Sequence, residues 1–322
     1  MPDTHASRLA RQATFRQLQV FECIARHRNF TKAAEELHLT QPTVSMQMKK
    51  LSDALGVALF EQIGRQVYLT EAGEALYQGS KNILSNLRVV VEQINHIKGM
   101  KGGSLSMTVI STAQYFMPPV IKRFIGEHPY VSISMRVGNK EQLISRIQKN
   151  QDDFYILGQP PEGLNVNTTR LVSNPLFMIA HADSHLAGRR GLKLADLRSE
   201  LFLTRESGSG IRAHIERVFA ELGHEPERRM VLGSNEVIRL GLLENMGIAV
   251  ASLPTLHQEL DKGELVVLDV EHFPIQRHWY LAYPQGKILS PIAQKFIHIV
   301  ENASESLDEF AQQMGSHYAA RQ

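Results

Sequence analysis

The chain has 322 residues, room for two domains or slightly more at about 150 residues each. Hydrophobic residues make up 43% and charged residues 21%, a globular balance that excludes a disordered, collagen-like or low-complexity protein. A single cysteine, Cys23, excludes an intramolecular disulfide framework and any multi-cysteine metal or cluster site. The N-terminus lacks an apolar leader, and no uncharged apolar run approaches the roughly 18 to 20 residues that span a bilayer, so a cytoplasmic location and no membrane partner are expected.

The net charge of +2 averages over unlike halves. Residues 1–98 hold 12 basic against 9 acidic side chains, and the remainder hold 23 against 24, so the positive excess sits at the head of the chain. There, Leu18, Phe21, Ile24 and Ala25 recur at helical spacing, and the neighbouring Cys23 reads as core. A short helix over Thr31–His38 follows, with Thr31 as its cap and Ala34 and Leu37 turned inward. Thr40 then caps a helix from Gln41 to Leu55, with Pro42 in its first turn and Gly56 after its end.

On that helix Val44, Met48, Leu51 and Leu55 form one apolar stripe. Pro42, Thr43, Ser45, Met46, Lys49 and Lys50 are left facing outward, with Gln41 opening the helix and Thr31 opening the one before it. Two short helices and a tight turn, with small polar residues first and lysines later, make a helix-turn-helix. Helix N-terminal side chains reach base edges while lysines neutralise phosphates. Residues Val57–Thr70 read as a two-stranded wing about Ile63–Gln66, with Arg65 at its tip for the minor groove. The alternative for all these side chains is an ordinary solvated helix face.

A proline-free helix is predicted from Glu71 to about Lys98. Ile83, Leu87, Val90, Ile94 and Ile97 form a heptad seam on it, expected to pair with a second copy. Gly99, Gly102 and Gly103 then read as a hinge. Beyond residue 103 strands alternate with helices, which predicts two α/β units built on parallel sheet. Ligands bind beyond the carboxyl ends of such strands. Ser111, Thr112 and Gln114 follow the first strand, Asn139 and Lys140 another, and Thr204–Arg212 follows a strand in the second unit. That last loop offers Thr204, Arg205, Ser207, Ser209 and Arg212 at a helix N-terminus, where free N–H groups suit phosphate or carboxylate. The competing reading makes Ser111 and Thr112 caps, and pairs the arginines with Glu206 or Glu216. Gly208–Ala213 formally fits a G-x-G-x-x-A dinucleotide pattern, but so short a match is weak and it stands too far beyond its strand. His181 and His185 lack a third ligand, so no metal is expected, and no cofactor or catalytic motif is present.

The residues Phe30–Ser45, then Lys50–Leu51, Leu55–Gly56, Leu59–Phe60 and Leu69–Gly73, resemble the LysR-type bacterial transcriptional regulators over nearly the whole chain. Thr43, Ser52 and Glu61–Gln62 depart from the family's usual residues, which leaves the target sequence open. Val137–Glu141, Tyr155–Glu162 and Gly233–Glu236 resemble the subgroup controlling the Calvin-cycle carbon dioxide fixation operon, and the last segment adds Asn235 to the candidate effector contacts. The resemblance implies an α+β multidomain protein. Its parts are a winged helix-turn-helix over 1–70, a dimerising linker helix over 71–98, a hinge over 99–103 and an effector domain over 104–310, with a flexible tail over 311–322. The effector domain resembles periplasmic binding proteins, with one subdomain over 104–172 and 283–310 and the other over 173–282. Implied partners are promoter DNA, further copies in a homodimer or homotetramer, and a phosphorylated metabolite or reduced nicotinamide nucleotide, with RNA polymerase as a further contact. The output, activation or repression, stays open. Rival readings are a regulator of another metabolic operon, an α/β enzyme with an appended DNA-binding domain, and a solute-binding transport component.

Overall fold

The computed structural model describes residues 13–64, 66–97, 102–160 and 163–303, with only the backbone of 96 and 97. Arg65, Lys98, Gly99 and the tail beyond 303 therefore lie outside the described residues. The chain divides into two compact units, with the boundary between Val91 and Glu92.

The first unit begins with α1 (Phe15–His27), whose cap Thr14 forms a reciprocal capping box with Gln17. Helix α2 (Phe30–Glu36) is capped by Asn29, not by Thr31: the Asn29 carboxamide accepts from the N–H groups of Thr31 and Lys32. Asparagine two residues earlier satisfies two orphan donors at once, so the helix starts sooner. Helix α3 (Gln41–Leu55) starts at the Thr40 cap and ends at Gly56 in the left-handed conformation. Val20, Phe21, Ile24, Ala33, Val44, Met48 and Leu51 close one core between the three helices, and Cys23 is 1% exposed within it. Strands β1 (Phe60–Ile63) and β2 (Gln66–Leu69) pair antiparallel as the wing.

Helix α4 (Glu71–Ile97) follows directly. A Cβ on Gly73 would lie 2.0 Å from the Leu59 carbonyl oxygen, so only glycine lets the helix start this close to the wing.

The second unit carries a five-stranded sheet in the order β4-β3-β5-β12-β6. Its strands are β3 (Gly103–Ile110), β4 (Val131–Gly138), β5 (Phe154–Leu157), β6 (Val166–Ser173) and, far downstream, β12 (His278–Pro284). Helices α5 (Met117–Glu127), α6 (Lys140–Gln148) and α10 (291–303) accompany it. Phe296 stacks on Phe154 and meets Phe124 edge-on, and Trp279 packs on Phe116, which builds this lobe's core. The other lobe is built on β7 (Leu176–His181), β8 (Leu201–Arg205), α7 (Gly210–Glu221), β9 (Arg228–Leu232) and α8 (Asn235–Leu243). It is completed by β10 (Ala249–Ser252), α9 (His257–Lys262) and β11 (Leu265–Val267).

Four expectations change. The sheets are mixed: β3 pairs parallel with β4 and β5, but β12 runs antiparallel to β5 and β6, and β7 antiparallel to β10 and β11. Because β12 brings the chain back into the first sheet, residues 278–282 belong with the first lobe rather than the second. Gly103 opens β3 instead of serving as a hinge. Strands β6 and β11 and helix α9 were not anticipated; Val166–Ser173 lacks a period-2 pattern, with polar Asn167, Thr168, Thr169 and Arg170 in a row. Among the described residues no helix is long and apolar enough to cross a membrane.

Gly73→Ala is expected to destabilise the first unit by about 1–3 kcal/mol through displacement of α4 from the wing, read as a lowered denaturant midpoint. An unchanged midpoint would contradict the close approach.

Candidate functional site

The candidate residues lie in three places: the outer face of α3, the seam of α4 and a cavity in the second unit. On the first unit, Thr31, Gln41, Pro42, Met46, Lys49 and Lys50 are exposed, and Thr43 and Ser45 are half-exposed. Gln41 Nε2 donates to Ser45 Oγ at 2.9 Å, and the Thr40 and Thr43 hydroxyls are 2.8 Å apart. These contacts hold the polar side chains of α3's first turn in fixed positions. Met46 is 50% exposed between them, an apolar group at the centre of a polar face. Behind this surface Glu36 accepts from both Arg26 and His27, tying α2 to the end of α1, and Arg26 holds its carboxyl down to about 2. Burial pushes the nearby Cys23 thiol up to about 11, which fits packing rather than reactivity.

On α4, Ile83, Leu87, Val90 and Ile94 are all between 41% and 47% exposed. Four seam positions of one helix thus present apolar surface along a single face; the Ile97 side chain lies outside the described residues.

In the second unit a cavity of about 330 Å³ lies between the two lobes. The carboxyl ends of β3, β4, β5 and β8 converge on it, bringing Ser111, Thr112, Asn139, Lys140, Gly158, Gln159, Arg205 and Ser209 to its wall. Helix α6, which starts with the Asn139 cap and Lys140, is anchored at its far end by Arg146. That guanidinium bonds both carboxylate oxygens of buried Asp152, at 2.8 and 2.7 Å.

Not every expected residue faces the cavity. Arg212 turns away to Glu216 and to the Arg205 carbonyl, because its position on α7 favours the (i, i+4) partner. Thr204 and Asn235 line a small neighbouring pocket, while Gln114 and Ser207 line neither. Arg205 reaches the wall, but its charge is already matched. Nε and Nη2 bond Glu206, and Nη1 donates to Ser111 Oγ and Asn235 Oδ1. Asn235 Nδ2 also donates to Ser111 Oγ, at 3.2 Å. This group latches the second lobe to the end of β3. The Thr112 hydroxyl accepts from Trp279 Nε1, as a structural contact.

Among the described residues Arg277 brings a buried charge with no carboxylate partner to this wall. It lines the cavity, is 8% exposed, and its Nε and Nη1 have no hydrogen-bond partner. Burial pulls its guanidinium down to about 10, with Arg217 adding repulsion. A Cβ on Gly158 would stand 2.3 Å from Arg277 Nη2, so the glycine after β5 makes room for this group. Arg217 and His214 join it from α7. Arg217 Nη2 donates to Gln159 Oε1 at 3.1 Å, a second bridge between the lobes. Among the described residues no carboxylate lines the cavity.

Arg277, Arg217 and His214 were not singled out from the sequence. Arg277 precedes its strand, so it does not stand among the groups that follow parallel strands. In antiparallel β12, however, that end lies beside the carboxyl end of β5, with Tyr280 opposite Leu157. Gly158 and Gln159, by contrast, do follow a parallel strand, β5.

Two family models match: the bacterial regulatory helix-turn-helix protein of the lysR family over residues 15–74, and the LysR substrate binding domain over residues 98–305. The HTH-type transcriptional activator CmpR of Synechocystis is 45% identical over 89% of this chain and 94% of its own. The RuBisCO operon transcriptional regulator of Acidithiobacillus ferrooxidans is 42% identical over 91% and 95%. The regulatory domain of Synechocystis CcmR, solved in complex with 2-PG, is 39% identical with a TM-score of 0.60, covering 63% of this chain and 98% of that one. A full-length OxyR from Pseudomonas aeruginosa, 21% identical over 91% and 95%, shares the fold with a TM-score of 0.71. The chain belongs to the LysR family of bacterial helix-turn-helix regulators.

Proposed function

We propose that this protein regulates transcription of carbon dioxide fixation genes in response to a small phosphorylated metabolite held in the cleft between the lobes. The observation that carries the effector half is the buried, unpaired Arg277 guanidinium. A buried cation without a counter-charge is costly, and an anion in the cleft relieves that cost. Lys140 and Arg217 reach the same cavity, and Ser111, Asn139 and Ser209 offer polar groups beside them. The CcmR domain complexed with 2-phosphoglycolate supports this class of ligand, and the RuBisCO operon regulators support the class of gene. A regulator of another metabolic operon is the second reading, since the departures at Thr43 and Ser52 lie on the DNA-facing helix.

On the DNA side, the start of α3 enters the major groove with Gln41, Pro42, Thr43, Ser45 and Met46 at base edges. Lys49, Lys50 and Thr31 meet phosphates, and Arg65 reaches from the wing. The apolar α4 seam pairs with a second copy, and two such pairs make the tetramer that spans an interrupted palindrome. A bound anion changes the balance of contacts across the cleft and so the relative orientation of the lobes, which the oligomer converts into a changed DNA bend and altered access for RNA polymerase. In this reading the protein acts in the cytoplasm and is not an enzyme, as the names of its relatives suggest.

Two measurements test these halves. Arg277→Met should melt higher than wild type in plain buffer, because a buried charge gives way to an apolar side chain of similar size. It should also lose the stabilisation by 2-phosphoglycolate, which in wild type reaches about 2.7 kcal/mol at a hundredfold excess over Kd. Equal stabilisation of both proteins would remove Arg277 from the site. For DNA, Lys49→Ala and Lys50→Ala should each weaken binding to a carbon-fixation promoter duplex and lower the slope of log affinity against log salt by about one. Unchanged slopes in anisotropy titrations would place the lysines off the phosphates.

A further inference from the structure

His214 stands on α7 at the cleft wall with Arg277, and its two ring nitrogens have unlike surroundings. Nδ1 lies 2.8 Å from Arg217 Nη2. A guanidinium can only donate, so Nδ1 is the acceptor and the neutral ring carries its proton on Nε2. Nε2 is buried and has no partner among the described residues, which leaves an N–H donor without an acceptor on a side chain of the cleft wall.

Among the described residues the charged groups that act on this ring or line its cavity are cationic. Arg217 comes from its own helix and Arg277 from the entry to β12, while Lys140 of α6 and Arg205 of β8 line the same cavity. Of these, Arg205 is neutralised by Glu206. Burial, then Arg277 and Arg217, hold the imidazole down to about 4, so it is neutral in the empty cleft at neutral pH.

We propose that His214 makes ligand binding in this cleft proton-linked, so that a dianionic phosphoryl or sulfuryl group is taken up together with a proton. This rests on reading the cleft as an anion site. The entering group accepts from Nε2–H and Arg277 and draws Arg217 off Nδ1. The vacated Nδ1 lone pair then takes a proton from solvent, forming an Nδ1–H bond and an imidazolium that faces the dianion. The anion cancels the repulsion from Arg277 and Arg217, so the ring titrates higher in the complex than in the empty cleft. Affinity for a dianion of fixed charge therefore falls as pH rises between the two values. If the ring returns to an ordinary histidine value of about 6.5, sulfate binds roughly tenfold tighter at about pH 5.5 than at about pH 8.

The test uses the full chain and calorimetry with 2-phosphoglycolate at about pH 6.5, in buffers of contrasting ionisation heat. The comparison is with His214→Gln, which keeps an N–H donor but cannot titrate. Wild type should take up about half a proton more per site than the variant, a difference in which the ligand's own titration cancels. Equal uptake overturns the linkage while leaving the anion site intact. Should the variant not fold, the wild-type affinity for sulfate decides alone: a roughly tenfold gain on acidification supports the linkage, and a flat profile overturns it. Absence of binding by both ligands overturns the reading of the cleft and the linkage with it.

Discussion

A guanidinium buried without a counter-charge organises the second unit. Arg277 is 8% exposed between the lobes, and the charge that acts on it is a second cation, Arg217. Folding places it there at a cost that hydrophobic packing elsewhere must offset. The architecture makes room for the cost: a glycine at 158 leaves space for the group, and the apolar lobe cores on either side hold the walls in place. Most other polar groups at this junction are satisfied within the protein. Arg205 is matched by Glu206, Thr112 by Trp279 and Arg217 by Gln159. Among the described residues, the buried polar atoms left without a partner along this cavity are Arg277 Nε and Nη1 and His214 Nε2.

The first unit is organised on a different principle. Its core is apolar and closed, and its polar groups are spent on helix starts: Thr14, Asn29 and Thr40 each cap one helix. Such caps fix where helices begin and hence which residues appear on the outer face of α3. The buried stripe of Val44, Met48 and Leu51 sets the helix rotation, and the exposed lysines follow from it.

This contrast explains what could be read from the amino-acid sequence. The bounds of α3, its cap and the glycine that ends it come from local rules and coincide with the structure. The cap of α2 did not, because Asn29 competes with Thr31 and its two bonds prevail. In the second unit most strand positions were legible, β6 and β11 excepted, but strand directions were not. Direction depends on where the chain returns after a long excursion, which periodicity does not encode. Arg277 lies before its strand, at an end that only antiparallel pairing brings beside the carboxyl end of β5. Arg212 shows the opposite error: an arginine in the right loop whose helical position commits it to Glu216.

The chain crosses between lobes twice, once from Ser173 to Leu176 and once from Ile275 to His278, and the two crossings are bonded to each other. The Asn174 N–H donates to the Arg277 carbonyl at 2.7 Å. Arg277 is thus part of the joint on which the lobes are hung. Its side chain meets the cavity while its backbone clamps the neighbouring crossing, so one residue joins the cavity wall to both connections between the lobes.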